Sequence, residues 1–178
     1  MASDSQRRQE MIENEKIIET VKDTIGQGLL LAEYTFDQLS LTIESGYVYK
    51  TLELLRDSPD LGFVFLTDIC GVHYPEQPLP LGVVYHLHNM AENVRIRVKT
   101  YLPINNPEIQ SVTGLFASAN WMERETFDFY GIIFKGHPNL KRILNVEYLD
   151  YFPLRKEYPL EDPTREDKDN RFFGREAL

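Results

Sequence analysis

Leu39, Leu41 and Ile43 alternate with Ser40, Thr42 and Glu44, the period-two pattern of a strand with one buried face. The same alternation runs through Val83 to His88 and again through Val94 to Tyr101, with Asn89 to Asn93 between them, which predicts a hairpin. In that hairpin Val83, Tyr85 and Leu87 share a face with Val94, Ile96 and Val98, while His86 and His88 lie with Arg95, Arg97 and Lys99 on the other. Gly28 to Tyr34 reads as a further strand leading to a turn at Phe36-Asp37. Phe63 to Leu66 is apolar on both parities, which predicts a short central strand covered on two sides. Ile132 to Phe134 reads as a short extended piece.

Helical spacing occupies other stretches. From about Glu10 to Ile25, the residues Ile17, Ile18, Val21 and Ile25 form one apolar face of a surface helix, which Gly26 and Gly28 stop. Ser45 is placed to cap a helix running to about Arg56 with Val48, Leu52 and Leu55 inward. Val112 to Tyr130 predicts a longer helix with Leu115, Ala119, Met122 and Phe129 along one side and Gly131 just past its end. Pro75 to Pro80 is a loop, because proline supplies no ladder donor. This order predicts an α+β domain, with a mixed or antiparallel sheet covered on one face by helices and an extended C-terminal tail. The expected divisions are a surface helix over 1–28, the α+β domain over 29–160 and a charged tail over 161–178.

Composition narrows the function classes. A chain of 178 residues with 42% hydrophobic content can bury its own core. A formal net charge of -9 argues against nucleic acid as a partner and favours protein partners. Cys70 is the single cysteine and cannot form an internal bridge, which fits a reducing compartment. No apolar run approaches the roughly 18 residues that cross a bilayer, and Met1 to Glu10 lacks the apolar core of a secretory signal. Membrane attachment is therefore expected only through partners.

Metal and nucleotide chemistry find little to use. Gly26-Gln27-Gly28 ends a helix instead of following a strand and lacks the third glycine of a dinucleotide loop. Cys70 with His73, and His86 with His88, are too few ligands for a structural zinc or an iron-sulfur cluster. Glu123, Glu125 and Asp128 stand on neighbouring helical turns, where carboxylates can do acid-base work, for instance with His137 in a free-standing hydrolase. The competing reading makes Arg124 and these acids salt-bridge partners that hold the helix end to Lys141-Arg142, or to another subunit. It is favoured because no nucleophile, metal or cofactor cradle lies nearby. Arg95, Arg97 and Lys99 are either a solvated sheet face or an interface, for which arginine is well suited.

The charged helix end belongs to a longer pattern. Glu123-Arg124-Glu125 is followed by Asp128-Phe129-Tyr130-Gly131, then Gly136-His137-Pro138 and Lys141-Arg142-Ile143-Leu144. In order and spacing these residues resemble the signature of the NuoC family, a subunit of the respiratory NADH:quinone oxidoreductase, complex I. Leu66-Thr67-Asp68 to Tyr74-Pro75 upstream, and Pro153-Leu154-Arg155-Lys156-Glu157-Tyr158-Pro159-Leu160 downstream, are similar to that family as well. His73 and Tyr151-Phe152 depart from its pattern, where Asp and Gly-His are common.

The resemblance implies an α+β subunit that carries no prosthetic group and no active site of its own, within a translocase. It packs beside the quinone-site subunit and the terminal iron-sulfur subunit of the peripheral arm, on the cytoplasmic side of the bacterial inner membrane. NADH, FMN, iron-sulfur clusters and quinone belong to the assembled complex. The equivalent subunit of a membrane-bound hydrogenase is a second possibility that sequence alone separates poorly. The signature residues are expected to serve assembly, and Arg95, Arg97, Lys99, Arg155 and Lys156 are candidate partner contacts. Phe172 and Phe173, beside Arg171 and Arg175 in a segment otherwise poor in apolar surface, are expected to anchor the tail to a groove on a partner.

Overall fold

The computed structural model describes residues 4–158, with side chains from residue 14 onward; the tail after residue 158, with Phe172 and Phe173, lies outside the described residues. Helix α1 spans Asp4–Ile25 and β1 Leu29–Thr35; then come β2 Gln38–Ile43, α2 Val48–Asp57, β3 Phe65–His73, β4 Leu81–Asn89 and β5 Val94–Leu102. Strand β6 (Glu108–Gln110), helix α3 (Ala119–Tyr130) and strand β7 (Ile133–Lys135) complete the order. The main sheet runs β1-β2-β5-β4-β3, and β6 and β7 form a separate pair. Within the main sheet β2 and β5 are parallel and the other neighbours antiparallel, so the sheet is mixed.

Alternation fixes which face is buried. Leu39, Leu41 and Ile43 of β2, Val83, Tyr85 and Leu87 of β4, and Ile96 and Val98 of β5 are all in the core. Against them lie Ile17, Val21 and Ile25 from α1 and Val48, Leu52 and Leu55 from α2. Burying these side chains contributes about 1.5–3 kcal/mol each at full burial. The opposite face stays open and carries His86, Arg95, Arg97 and Lys99. Helix α3 packs along the β3 edge.

Four expectations are corrected. Phe63 to Leu66 is not a central strand: β3 starts at Phe65, forms the sheet edge, and leaves Val64 61% and Phe65 49% exposed. Phe63 is buried before the strand begins, its N–H donating to Leu55 O at 2.9 Å, so its apolar character comes from the core and not from a second covering layer. Ser45 caps nothing with its side chain, because a 3-10 turn over Ser45–Tyr47 precedes α2. Helix α3 begins at Ala119 and not at Val112; Val112 to Phe116 forms a separate turn closed by the N–H groups of Leu115 and Phe116 on Val112 O. Gly114 and β-branched Val112 and Thr113 favour that break. Leu115 is therefore off the helix, and the side of α3 that buries completely carries Glu123 and Thr126 beside Ala119.

Candidate functional site

Helix α3 ends at Gly131, whose φ of 73° suits a residue without Cβ and whose N–H closes on Phe127 O at 2.8 Å. A Cβ there would lie 2.5 Å from the Phe152 ring, so the small residue also lets the returning chain pack close. After β7 the chain from residue 136 to residue 158 contains no helix or strand. Such a segment must satisfy its backbone groups some other way.

Asp128 supplies much of the answer. Its Oδ2 accepts the consecutive backbone N–H groups of Ile143, Leu144 and Asn145 at 3.0, 2.8 and 2.9 Å. Its Oδ1 accepts Arg142 Nη1 at 2.8 Å and Asn145 Nδ2 at 3.1 Å. Arg142 also donates to Asp128 O, Leu149 O and Tyr151 O, at 2.8, 2.7 and 3.2 Å. The carboxylate is fully buried and the arginine side chain only 7% exposed. Burial pushes the Asp128 carboxyl up, but the N–H groups of Asn145, Leu144 and Ile143 and the Arg142 guanidinium outweigh it and hold the group well below the usual carboxylate range. Arg124, one turn earlier, donates to Lys141 O at 3.0 Å and Arg142 O at 2.9 Å. It therefore binds backbone carbonyls of the same loop and not the neighbouring acids.

The other signature residues extend this clasp or stand apart from it. Tyr130 covers Gly71 of β3, where an added Cβ would meet its ring at 2.3 Å, and its carbonyl accepts Arg155 Nε at 2.8 Å. Phe129 O accepts Leu154 N–H at 3.2 Å. Phe152 lies under the Arg142 and Arg155 guanidinium groups, 5.2 and 4.6 Å from its ring centre. His137 Nδ1 accepts the Asn139 N–H at 3.0 Å, so Nε2 carries the proton and donates to Asn120 O at 3.0 Å. Glu125 and Lys141 are exposed.

Glu123 faces the other way. It is fully buried, accepting Ser111 Oγ at 2.7 Å and Val112 N–H at 2.7 Å, and so ties the turn before the helix to the helix itself. Burial raises its pKa from 4.5 to about 7, against the opposing pull of the Ser111 and Val112 donors. The Tyr85 hydroxyl, buried without a hydrogen-bond partner, is raised well above its ordinary value by burial and by the Glu123 charge.

This arrangement does not assemble an acid-base pair. Asp128 has its lone pairs filled by donors, Glu123 is sealed in the core, Glu125 is exposed, and both His137 ring nitrogens are engaged by backbone. Among the described residues no group of three or more His, Cys, Asp or Glu could hold a metal ion. Cys70 donates to Asp68 Oδ2 at 2.8 Å, and burial, with Asp68 behind it, pushes its thiol up to about 12. His73 Nδ1 accepts the Lys156 N–H at 2.9 Å, and His88 Nε2 stands 3.1 Å from Asn93 Oδ1. On the open face Arg97 donates to Gln38 at 2.7 Å, Lys99 pairs with Glu33 at 2.9 Å, and Arg95 is exposed. Sequence reasoning missed Ser111, Asn145 and the packing of Phe152. No periodicity marks the first two, and the third was visible only as a departure from a pattern.

The geometry defines a scaffold-type α+β domain whose most polar residues lock a long unstructured return segment onto one helix. By its sequence the chain belongs to the family described as the respiratory-chain NADH dehydrogenase 30 Kd subunit, whose model matches residues 41–164. It is 43% identical over 138 residues to the NuoC-type chain of the NADH-quinone oxidoreductase of a Methylobacterium species, a match covering 78% of this chain and 64% of that protein. The chain thus spans roughly two thirds of the length of the curated relatives it matches. A solved trypsin-resistant fragment of Nqo5 superposes with a TM-score of 0.63 at 29% identity, covering 72% of this chain and 99% of the fragment. A chain from an archaeal respiratory membrane complex, the membrane-bound sulfane sulfur reductase, shares the fold with a TM-score of 0.69 at 20% identity, covering 88% and 98%.

Proposed function

We propose that this chain is a non-catalytic structural subunit of the peripheral arm of a proton-translocating NADH:quinone oxidoreductase, bracing the quinone-site and terminal iron-sulfur subunits. Family membership across residues 41–164 is the observation that carries the reading. A signature whose charges are spent largely on the chain's own backbone supports it, since such residues build a rigid surface and have no free group for chemistry. NADH, FMN, iron-sulfur clusters and quinone would be bound by partner chains. Among the described residues no helix is long and apolar enough to cross a membrane, so in this proposal the partners also hold the subunit at the cytoplasmic side of the bacterial inner membrane. The archaeal likeness concerns fold only and leaves hydrogenase-type complexes as the competing assembly. Purifying the native protein in mild detergent and identifying its partners by mass tests the proposal. A set of NADH-oxidising and quinone-reducing subunits is expected, and a hydrogenase set would overturn it.

A further inference from the structure

We propose that the tip of the β1–β2 hairpin and the basic end of β5 beside it form one docking surface for a protein partner that offers an apolar pocket with an acidic rim. The inference rests on the assembly reading above and names a contact within it. The two strands are joined by Phe36 and Asp37 alone, with φ of 54° and 58°. A two-residue hairpin turn of this kind favours Asn-Gly, and for a bulky residue the left-handed region is an outlier. The Phe36 side chain is 99% exposed. A free subunit gains nothing from placing a phenylalanine at such a position, whereas a partner pocket would receive a ring held out on a short, stiff support. Tyr34, two residues earlier, is also exposed.

Charge identifies the rim. Gln38 follows the turn and accepts Arg97 Nη2 at 2.7 Å, which sets the tip beside the start of β5, where Arg95 is exposed. Neither arginine has a carboxylate partner among the described residues, although the chain carries a net charge of -9. The acids on this face are engaged elsewhere, Glu33 by Lys99 and Asp68 by the Cys70 thiol. Two unpaired guanidinium groups beside an apolar anchor suit carboxylates presented in fixed positions, which a folded protein surface offers. The family match starts at residue 41, after the tip.

The test compares chains assembling in competition. Replacing the turn by Phe36→Asn with Asp37→Gly should leave the free subunit as stable or more so, and lower its incorporation against the wild-type chain about tenfold or more. Arg95→Glu should also lower incorporation and flatten its salt dependence. A photo-crosslinking residue at position 36 should join one partner chain at a peptide containing Asp or Glu. Equal incorporation of the turn variant beside an assembling wild type overturns this inference alone. So does a cross-link to lipid or to a second copy of this chain, or no cross-link in an assembled complex. A wild-type chain that captures no oxidoreductase subunits overturns the assembly reading, and this inference with it.

Discussion

Asp128 and Glu123 lie on the same helix, five residues apart and equally sealed from solvent, yet their acidities move in opposite directions. Asp128 receives three backbone N–H groups, an arginine and an asparagine, whereas Glu123 receives one hydroxyl and one N–H. Burial alone penalises both charges. What separates them is the number and charge of the donors, so Asp128 is a permanent anion around which the return segment folds and Glu123 a carboxyl that titrates near neutrality. The C-terminal end of α3 is accordingly the firm anchor, and its N-terminal half is the part that responds to pH.

The largest expected effect comes from removing the anchor. Asp128→Ala leaves the buried Arg142 and three N–H groups without an acceptor and should cost about 3–5 kcal/mol in chemical denaturation of the subunit. A loss below about 1 kcal/mol would show that water substitutes for the carboxylate and that the contrast with Glu123 is empty.

Next in size is pH. Glu123 has its folded pKa raised to about 7 from 4.5, so between these values the folded state holds the extra proton and stability falls as pH rises. The difference between wild type and Glu123→Gln should change by up to about 3 kcal/mol across that window, the variant gaining relative to wild type toward higher pH. Asp128, depressed in the folded state, contributes stability that is fully present above its unfolded pKa and is lost only as pH falls below it into strong acid, so it adds no slope there. Parallel wild-type and variant curves between these two pH values would contradict the assignment of the neutral titration to Glu123.

A smaller effect is expected at Gly131, where a Cβ adds left-handed strain and meets Phe152 at 2.5 Å. Gly131→Ala should lower stability by about 2 kcal/mol, read from the thermal midpoint. Smallest is Arg124→Ala, which frees two loop carbonyls that water can reach and should cost about 1–2 kcal/mol.

Alternation revealed β2 and the β4–β5 hairpin because their buried faces are uniformly apolar, and the α1 face was legible for the same reason. Strand β3 was not, because the order of strands in a sheet leaves no period in the chain and Phe63 belongs to the core before the strand starts. The early start assigned to α3 followed real apolar spacing at Val112, Leu115 and Phe116, but Glu123 captures Val112 N–H and folds that stretch back into a turn. Strands β6 and β7 are three residues each, too short for a period to reveal their pairing. At the site, the pairing of an acid on the helix with the Lys141-Arg142 loop was foreseeable from charge and spacing. The principal donors to Asp128 are backbone N–H groups, which every residue but proline owns, so no sequence pattern announces them.

The central claim is that the signature shapes and holds the subunit and takes no part in the reaction of the complex. Turnover per assembled complex carrying Arg124→Ala tests it most directly, since that variant weakens the loop while leaving the Asp128 anchor in place. The account predicts a lower yield of complex with turnover per complex unchanged. Full yield with abolished turnover would contradict it.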